Sequence, residues 1–310
     1  MRPWRAAPAA GARVALVAPA FALPDGALGG AVAAIEALGL SVAVGPHAAC
    51  RSGPWAGDAD ERLADLAWAL TAEDVDVAWM ARGGEGTAEV AARLPWAAVV
   101  ARGMPVVGMS DITALHGGLC RRGIPSVHGA MPTTGWDPFQ AGAAWRALTA
   151  PPPWTLDAPP GAPPPTALRG GVARGPLVGG NLTVLAAIAG TPLAPDTRGA
   201  ILLLEDVDER AYRLDRCLVQ LRLAGMLEGL AGVALGTFTD CPPVAGLTAE
   251  AVLERHLRPL GVPVLAGLPL GHGPVQSAVP LGVEAGMDAD AGTLTVLEAP
   301  FARAGARAVG

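Results

Sequence analysis

Lysine is absent from this 310-residue chain: all 22 basic residues are arginine. That excludes Schiff-base lysine chemistry, covalent pyridoxal attachment and the lysine of a P-loop. Asn occurs once (Asn181), Tyr once (Tyr212) and Ser five times, so the side chains able to do chemistry form a short list. Charged residues reach only 16%, the net charge is −6 and no basic tract occurs. A nucleic-acid partner and an anionic-membrane surface are therefore not expected. No uncharged apolar run reaches the roughly 18 residues that a membrane span requires. The cysteines are few and scattered: Cys50, Cys120, Cys217 and Cys241 form no CxxC pair and have no ligand-spaced histidine. Reduced, buried thiols are expected, with no disulfide or metal site.

What is present points to a globular α/β chain. Apolar residues make up 51%, with 41 Gly and 30 Pro, which excludes wholesale disorder and implies many turns. The length suits two domains of about 100–200 residues each, burying roughly 70–75% of the unfolded surface. Arg2 and Arg5 before an Ala-rich stretch mimic an export signal. However, Arg13 interrupts that stretch and the apolar run Val14–Ala18 stops at Pro19. The run reads as a first buried strand, and a cytoplasmic location is expected.

Strand and helix patterns alternate through the first half. Ala27–Leu38 has helical spacing and stops at Gly39. Asp58 or Asp60 can cap a helix presenting Leu63, Leu66, Ala67 and Leu70 on one face. Val75–Met80 and Met104–Gly108 read as strands, and a helix runs from Ile112 to Arg122. This alternation predicts a parallel sheet with ligands at its carboxyl-end loops. Pro151–Pro165 is too rich in proline for a helix or a central strand and reads as an extended spacer. The expected division is a first domain over 1–150, a linker over 151–170 and a second domain over 171–310. In the latter, Val178–Asn181 opens an apolar helix, Ala200–Leu204 is a strand ending at Glu205-Asp206, and Ala211–Leu223 is a helix. Gly232–Gly236, Val262–Leu265, Ala278–Val283 and Thr293–Leu297 suggest a β-rich end.

Four places carry possible chemistry. Ser110 follows a strand and starts a helix, a placement that exposes a nucleophile or supplies a helix cap with Asp111. Gly83-Gly84-Glu85-Gly86 can aim backbone N–H groups at an oxyanion or make a plain tight turn, and the full GxGxxG spacing is missing. Glu205 and Asp206 can serve a site or pair with Arg210, Arg213 or Arg216. His272, in the loop Leu270–Gly273, can swing over a site or be solvated. His116 and His128 have no metal spacing.

In order along the chain these residues resemble the serine LD-carboxypeptidases of peptidase family S66, the muramoyltetrapeptide carboxypeptidases. The matching pieces are Val17-Ala18-Pro19, Ala56-Gly57-Asp58 with Glu61-Arg62 and Asp65-Leu66, Ala81–Gly84, Gly108–His116, His128-Gly129, and Gly179–Leu182 with Gly190-Thr191-Pro192. Leu203–Val207 with Tyr212, Asp215-Arg216 and Gln220-Leu221, then Gly271-His272 and Pro280–Gly282, complete them. The resemblance implies a flavodoxin-like parallel-sheet N-terminal domain and a smaller β-rich α/β C-terminal domain, with no cofactor or metal. It implies a triad of Ser110, His272 and Glu205, and an oxyanion hole from the backbone N–H groups of Gly84 and Asp111. Arg82, Gly83 and Glu85 are the expected substrate contacts.

The implied substrate is a murein tetrapeptide cut between an L-configured diamino acid and terminal D-Ala, by a cytoplasmic homodimer acting in peptidoglycan recycling. A sister group cleaves microcin-type peptidyl-nucleotide antibiotics. A rival of another class is a non-enzymatic two-domain ligand-binding protein. This chain departs from the family pattern in Glu85, where an aromatic is usual, in Ala20, where Ser is frequent, and in Ala130, where proline is expected.

Overall fold

The computed structural model describes residues 6–133, 136–274 and 276–301; Arg2 and Arg5 lie outside them. The first half contributes five strands: β1 (Arg13–Val17), β2 (Ser41–Val44), β3 (Val77–Met80), β4 (Val106–Gly108) and β5 (Ser126–His128). The rest contributes β6 (Trp154–Thr155), β7 (Thr166–Arg169), β8 (Val172–Asn181), β9 (Ile201–Val207) and β10 (Gly232–Thr239). It continues with β11 (Val264–Ala266), β12 (Val279–Leu281), β13 (Glu284–Asp288) and β14 (Thr293–Val296).

Two sheets result. The first has the order β12-β5-β4-β3-β1-β2, parallel throughout except for β12, which returns from the C-terminal part to pair antiparallel with β5. The second has the order β6-β14-β13-β8-β9-β10-β11-β7, with a parallel centre from β8 to β11 and antiparallel flanks. The apolar core runs from one sheet to the other: Leu115 and Leu119 of the helix Thr113–Arg121 share a cluster with Leu182, Leu185 and Leu204.

Sequence signals explain most elements. The helix Ala59–Thr71 opens with a capping box, in which Asp58 accepts from the Glu61 N–H and Glu61 accepts from the Asp58 N–H. Its most buried stripe is Arg62, Asp65, Leu66, Ala69 and Leu70, with Leu63 and Ala67 at the margin. The helix Ala211–Leu223 buries Leu214, Leu218 and Leu221 as its spacing predicts. The proline-rich stretch holds β6, and β7 follows it; they sit at opposite edges of the second sheet, where unpaired N–H positions are tolerated. Glu205 and Asp206, expected at the end of their strand, lie inside β9, which runs on to Val207. One correction concerns the four cysteines, which are free but half-buried, not fully enclosed.

Candidate active site

Ser110 sits on a sharp strand-to-helix turn. Strand β4 stops at Gly108, Met109 is extended, and Ser110 has φ +63° at the start of a single 3-10 turn leading into the helix Thr113–Arg121. A left-handed serine costs about 1–3 kcal/mol and persists only where its surroundings enforce it. His116 supplies part of that enforcement. Its Nε2 lies 2.9 Å from the Gly108 carbonyl, which can only accept, and its Nδ1 lies 2.8 Å from Ser126 Oγ. The ring is therefore the Nε2–H tautomer, and burial lowers its pKa to about 4, keeping it neutral.

The glycine-rich loop crosses directly above this turn. A Cβ at Gly83 would lie 2.8 Å from Ser110 Cβ and 3.5 Å from the Asp111 backbone nitrogen, so only glycine admits the approach. Gly84 adopts φ +119°, and a Cβ there would run into the Phe21 side chain. The Asp111 carboxylate accepts the Thr87 N–H at 2.8 Å, tying the loop to the serine turn. Arg82 donates to the Ala22 carbonyl, and exposed Glu85 accepts from Trp55 Nε1 at 2.9 Å.

Glu205 and His272 meet at the second sheet. Glu205 Oε2 lies 2.7 Å from His272 Nδ1, with the glutamate side chain fully buried and the histidine 20% exposed. Gly271, at φ +102°, makes the approach possible: a Cβ there would lie 2.7 Å from Glu205 Cβ. Burial lowers the His272 pKa, but the hydrogen bond and charge of Glu205, with the charge of Asp206, outweigh it and raise the value above 6.5. Glu205 pairs with none of the arginines proposed as its partners. Arg213 bonds Glu209 instead. Asp206, one residue on, faces the other side of β9, where it accepts from Asn181 Nδ2 and from the N–H and hydroxyl of Thr183.

A third set of contacts joins the two groups. Asn181 is the register partner of Glu205, and its backbone N–H donates to Thr113 Oγ1 at 2.9 Å, at the first residue of the helix that follows Ser110. His128, paired with Gly108 across β4 and β5, is close enough to feel the charge of His272. Asn181, Thr113 and Trp55 were not among the predicted site residues. The chain's only asparagine at a strand end was the one available hint. Among the described residues no three His, Cys, Asp or Glu side chains are grouped to hold a metal ion, and no helix is long and apolar enough to cross a membrane.

This arrangement places a strained serine under a glycine-rich backbone and a Glu–His pair on the neighbouring sheet, the parts of a serine hydrolase. Comparison with known proteins identifies the family. Residues 14–129 match the LD-carboxypeptidase N-terminal domain and residues 174–287 the LD-carboxypeptidase C-terminal domain. The murein tetrapeptide carboxypeptidase of Pseudomonas aeruginosa is 35% identical over 288 residues, covering 87% of this chain and 91% of that protein. The crystal structure of muramoyltetrapeptide carboxypeptidase from Oxalobacter formigenes superposes with a TM-score of 0.81 at 30% identity, covering 92% of this chain and 99% of that one. The microcin C7 self-immunity protein MccF, in complex with aspartyl sulfamoyl adenosine, shares the fold with a TM-score of 0.87 at 21% identity, covering 96% of this chain and 99% of that one. The chain belongs to the LD-carboxypeptidases of peptidase family S66, a family of serine carboxypeptidases.

Proposed function

We propose that this enzyme releases the terminal D-Ala of an L,D-linked murein tetrapeptide through an acyl-enzyme on Ser110. His272 takes the hydroxyl proton as Ser110 attacks the scissile carbonyl, then returns it to the departing D-Ala amine. In the second half-reaction it activates a water that releases the acylated peptide. Glu205 holds Nδ1 as the protonated nitrogen and stabilises the imidazolium as it forms. The N–H groups of Gly84 and Asp111 receive the oxyanion, each donor contributing about 3–4 kcal/mol.

The observation that carries this reading is the 2.7 Å contact between buried Glu205 and His272, the pair the family resemblance selects. The decisive experiment is mass spectrometry of a murein tetrapeptide incubated with the protein and with its Ser110→Ala variant. Loss of one alanine with the parent alone is expected. Turnover of a peptidyl-nucleotide with the tetrapeptide left intact moves the assignment to the sister activity. Binding without turnover of either substrate moves it to a ligand-binding role. The proposal extends to a cytoplasmic role in peptidoglycan recycling and to a homodimer, both resting on the family resemblance. Light scattering on the purified protein tests the dimer.

A further inference from the structure

The loop above Ser110 carries a carboxylate that makes no ion pair among the described residues. Glu85 follows the proposed oxyanion donor Gly84 and is exposed. Its Oε2 accepts the Trp55 indole N–H at 2.9 Å, a bond that aims the carboxylate without cancelling its charge. Trp55 is itself held by paired backbone hydrogen bonds with Ser52 and by a bridge to Phe21, whose ring packs on Gly84. Two guanidinium groups flank the loop, and neither pairs with Glu85. Arg62 is buried, donates to the Pro19 and Gly86 carbonyls and pairs with Glu89 at 2.9 Å. Arg82 donates to the Ala22 carbonyl. Among the described residues Glu85 makes no ion pair.

The field of this carboxylate reaches the serine turn. The Asp111 carboxyl is raised above its ordinary range by burial, lowered by its Thr87 hydrogen bonds, raised by Glu85 and lowered by Arg62. A negative charge felt at that turn opposes the oxyanion of the proposed mechanism, and like charges brought together are costly. A substrate that brings its own cation to Glu85 removes the penalty and gains an ion pair.

We infer that Glu85 is a specificity residue that takes the distal ammonium of the substrate's L-diamino acid, an inference that rests on the carboxypeptidase reading above. A side chain ending in a free ammonium neutralises Glu85. Acylating that amine removes the attraction and leaves the repulsion in place.

The test uses the full-length enzyme and two tetrapeptides with L-Lys before D-Ala, one with the ε-amino group free and one with it acetylated. For the parent, acetylation is expected to lower kcat/KM at least about tenfold, and added salt to shrink that ratio. In Glu85→Gln, whose side-chain oxygen can still accept from Trp55, the ratio is expected to fall below about threefold, with the acetylated peptide cut faster than by the parent. Equal use of both peptides by the parent, or a preference that survives Glu85→Gln, overturns the inference. Calorimetric titration of the Ser110→Ala protein with both peptides separates this inference from the function it rests on. Selective binding of the free-amine peptide with no D-Ala release by the parent refutes the carboxypeptidase reading and keeps the Glu85 site. D-Ala release with no amine preference does the reverse, and binding of neither peptide overturns the Glu85 assignment.

Discussion

Glu205 and Asp206 are neighbours on one strand, yet the pleat sends them to different tasks. Glu205 shares its face of β9 with Ile201 and Leu203 and meets His272, whereas Asp206 shares the face of Leu202 and Leu204 and is used up by Asn181 and Thr183. Glu205→Gln is therefore expected to fold and to lose about 10⁴ in kcat, as when an orienting acid is neutralised in other serine enzymes. A protein that melts early but turns over at the parent rate per folded molecule contradicts the triad. The pH profile gives an independent readout. In the proposed mechanism His272 must be neutral to accept the serine proton, and its pKa is raised above 6.5, so kcat/KM should fall as pH drops through that raised value. Without the Glu205 charge the acid limb should move to lower pH while the plateau collapses. Ser110→Ala should lower turnover by about 10³-fold or more with an unchanged melting temperature, since its side chain is not part of the packed core. The family resemblance singled these residues out. Their roles were not legible from residue type alone, because two adjacent acids look alike until the strand assigns their faces.

At the scale of elements, patterns with a single strong signal were readable and those held by their neighbours were not. The helix Ala211–Leu223 follows from three leucines at helical spacing, and Asp58 with Glu61 marks the start of Ala59–Thr71. Strand β8 is the opposite case. Its sequence Val-Ala-Arg-Gly-Pro-Leu-Val-Gly-Gly-Asn contains three glycines and a proline, poor material for a central strand. It forms because β9 pairs with one side and β13 with the other, so tertiary pairing overrides local propensity. The glycine-rich loop shows the same dependence, since its close approach to Ser110 exists only once β3 and β4 lie side by side. Gly83 carries no positive φ, so Gly83→Ala keeps an allowed backbone but presses on Ser110 Cβ. A displacement of about 1 Å at a nucleophile can cost about 10²-fold, and kcat for this variant should fall by that order with only a small change in the urea midpoint.

For the whole molecule, the seam between the sheets sets the response to acid. His116 and His128 are buried and neutral there, with pKa values lowered to about 4 and about 3; burial is the main cause for both, and His128 is lowered further by His116 and His272. A histidine depressed on folding contributes stability that is full above 6.5 and is lost as pH falls toward the folded value. Asp111 and Asp206, raised chiefly by burial, act in the opposite sense in their own lower range, and His272 and His47, raised by their carboxylate partners, oppose the loss near and above 6.5. Urea unfolding at about pH 7.5 and about pH 5 should show a marked loss for the parent, and a smaller loss for His128→Leu, which removes one of the protons taken up on unfolding. An equal loss in both proteins contradicts the account of His128. Spacing within a dozen residues is enough for the α/β class, the parallel strands β1–β5, the caps and the apolar faces. The sequence by itself also carried the glycines, whose freedom of φ is a property of the residue. Folding alone brought Glu205 to 2.7 Å from His272, returned β12 to the first sheet, and left Glu85 bonded to Trp55 with no ion pair among the described residues. Those outcomes depend on which faces and charges the folded chain brings together from residues tens to hundreds of positions apart, a separation over which periodicity carries no information.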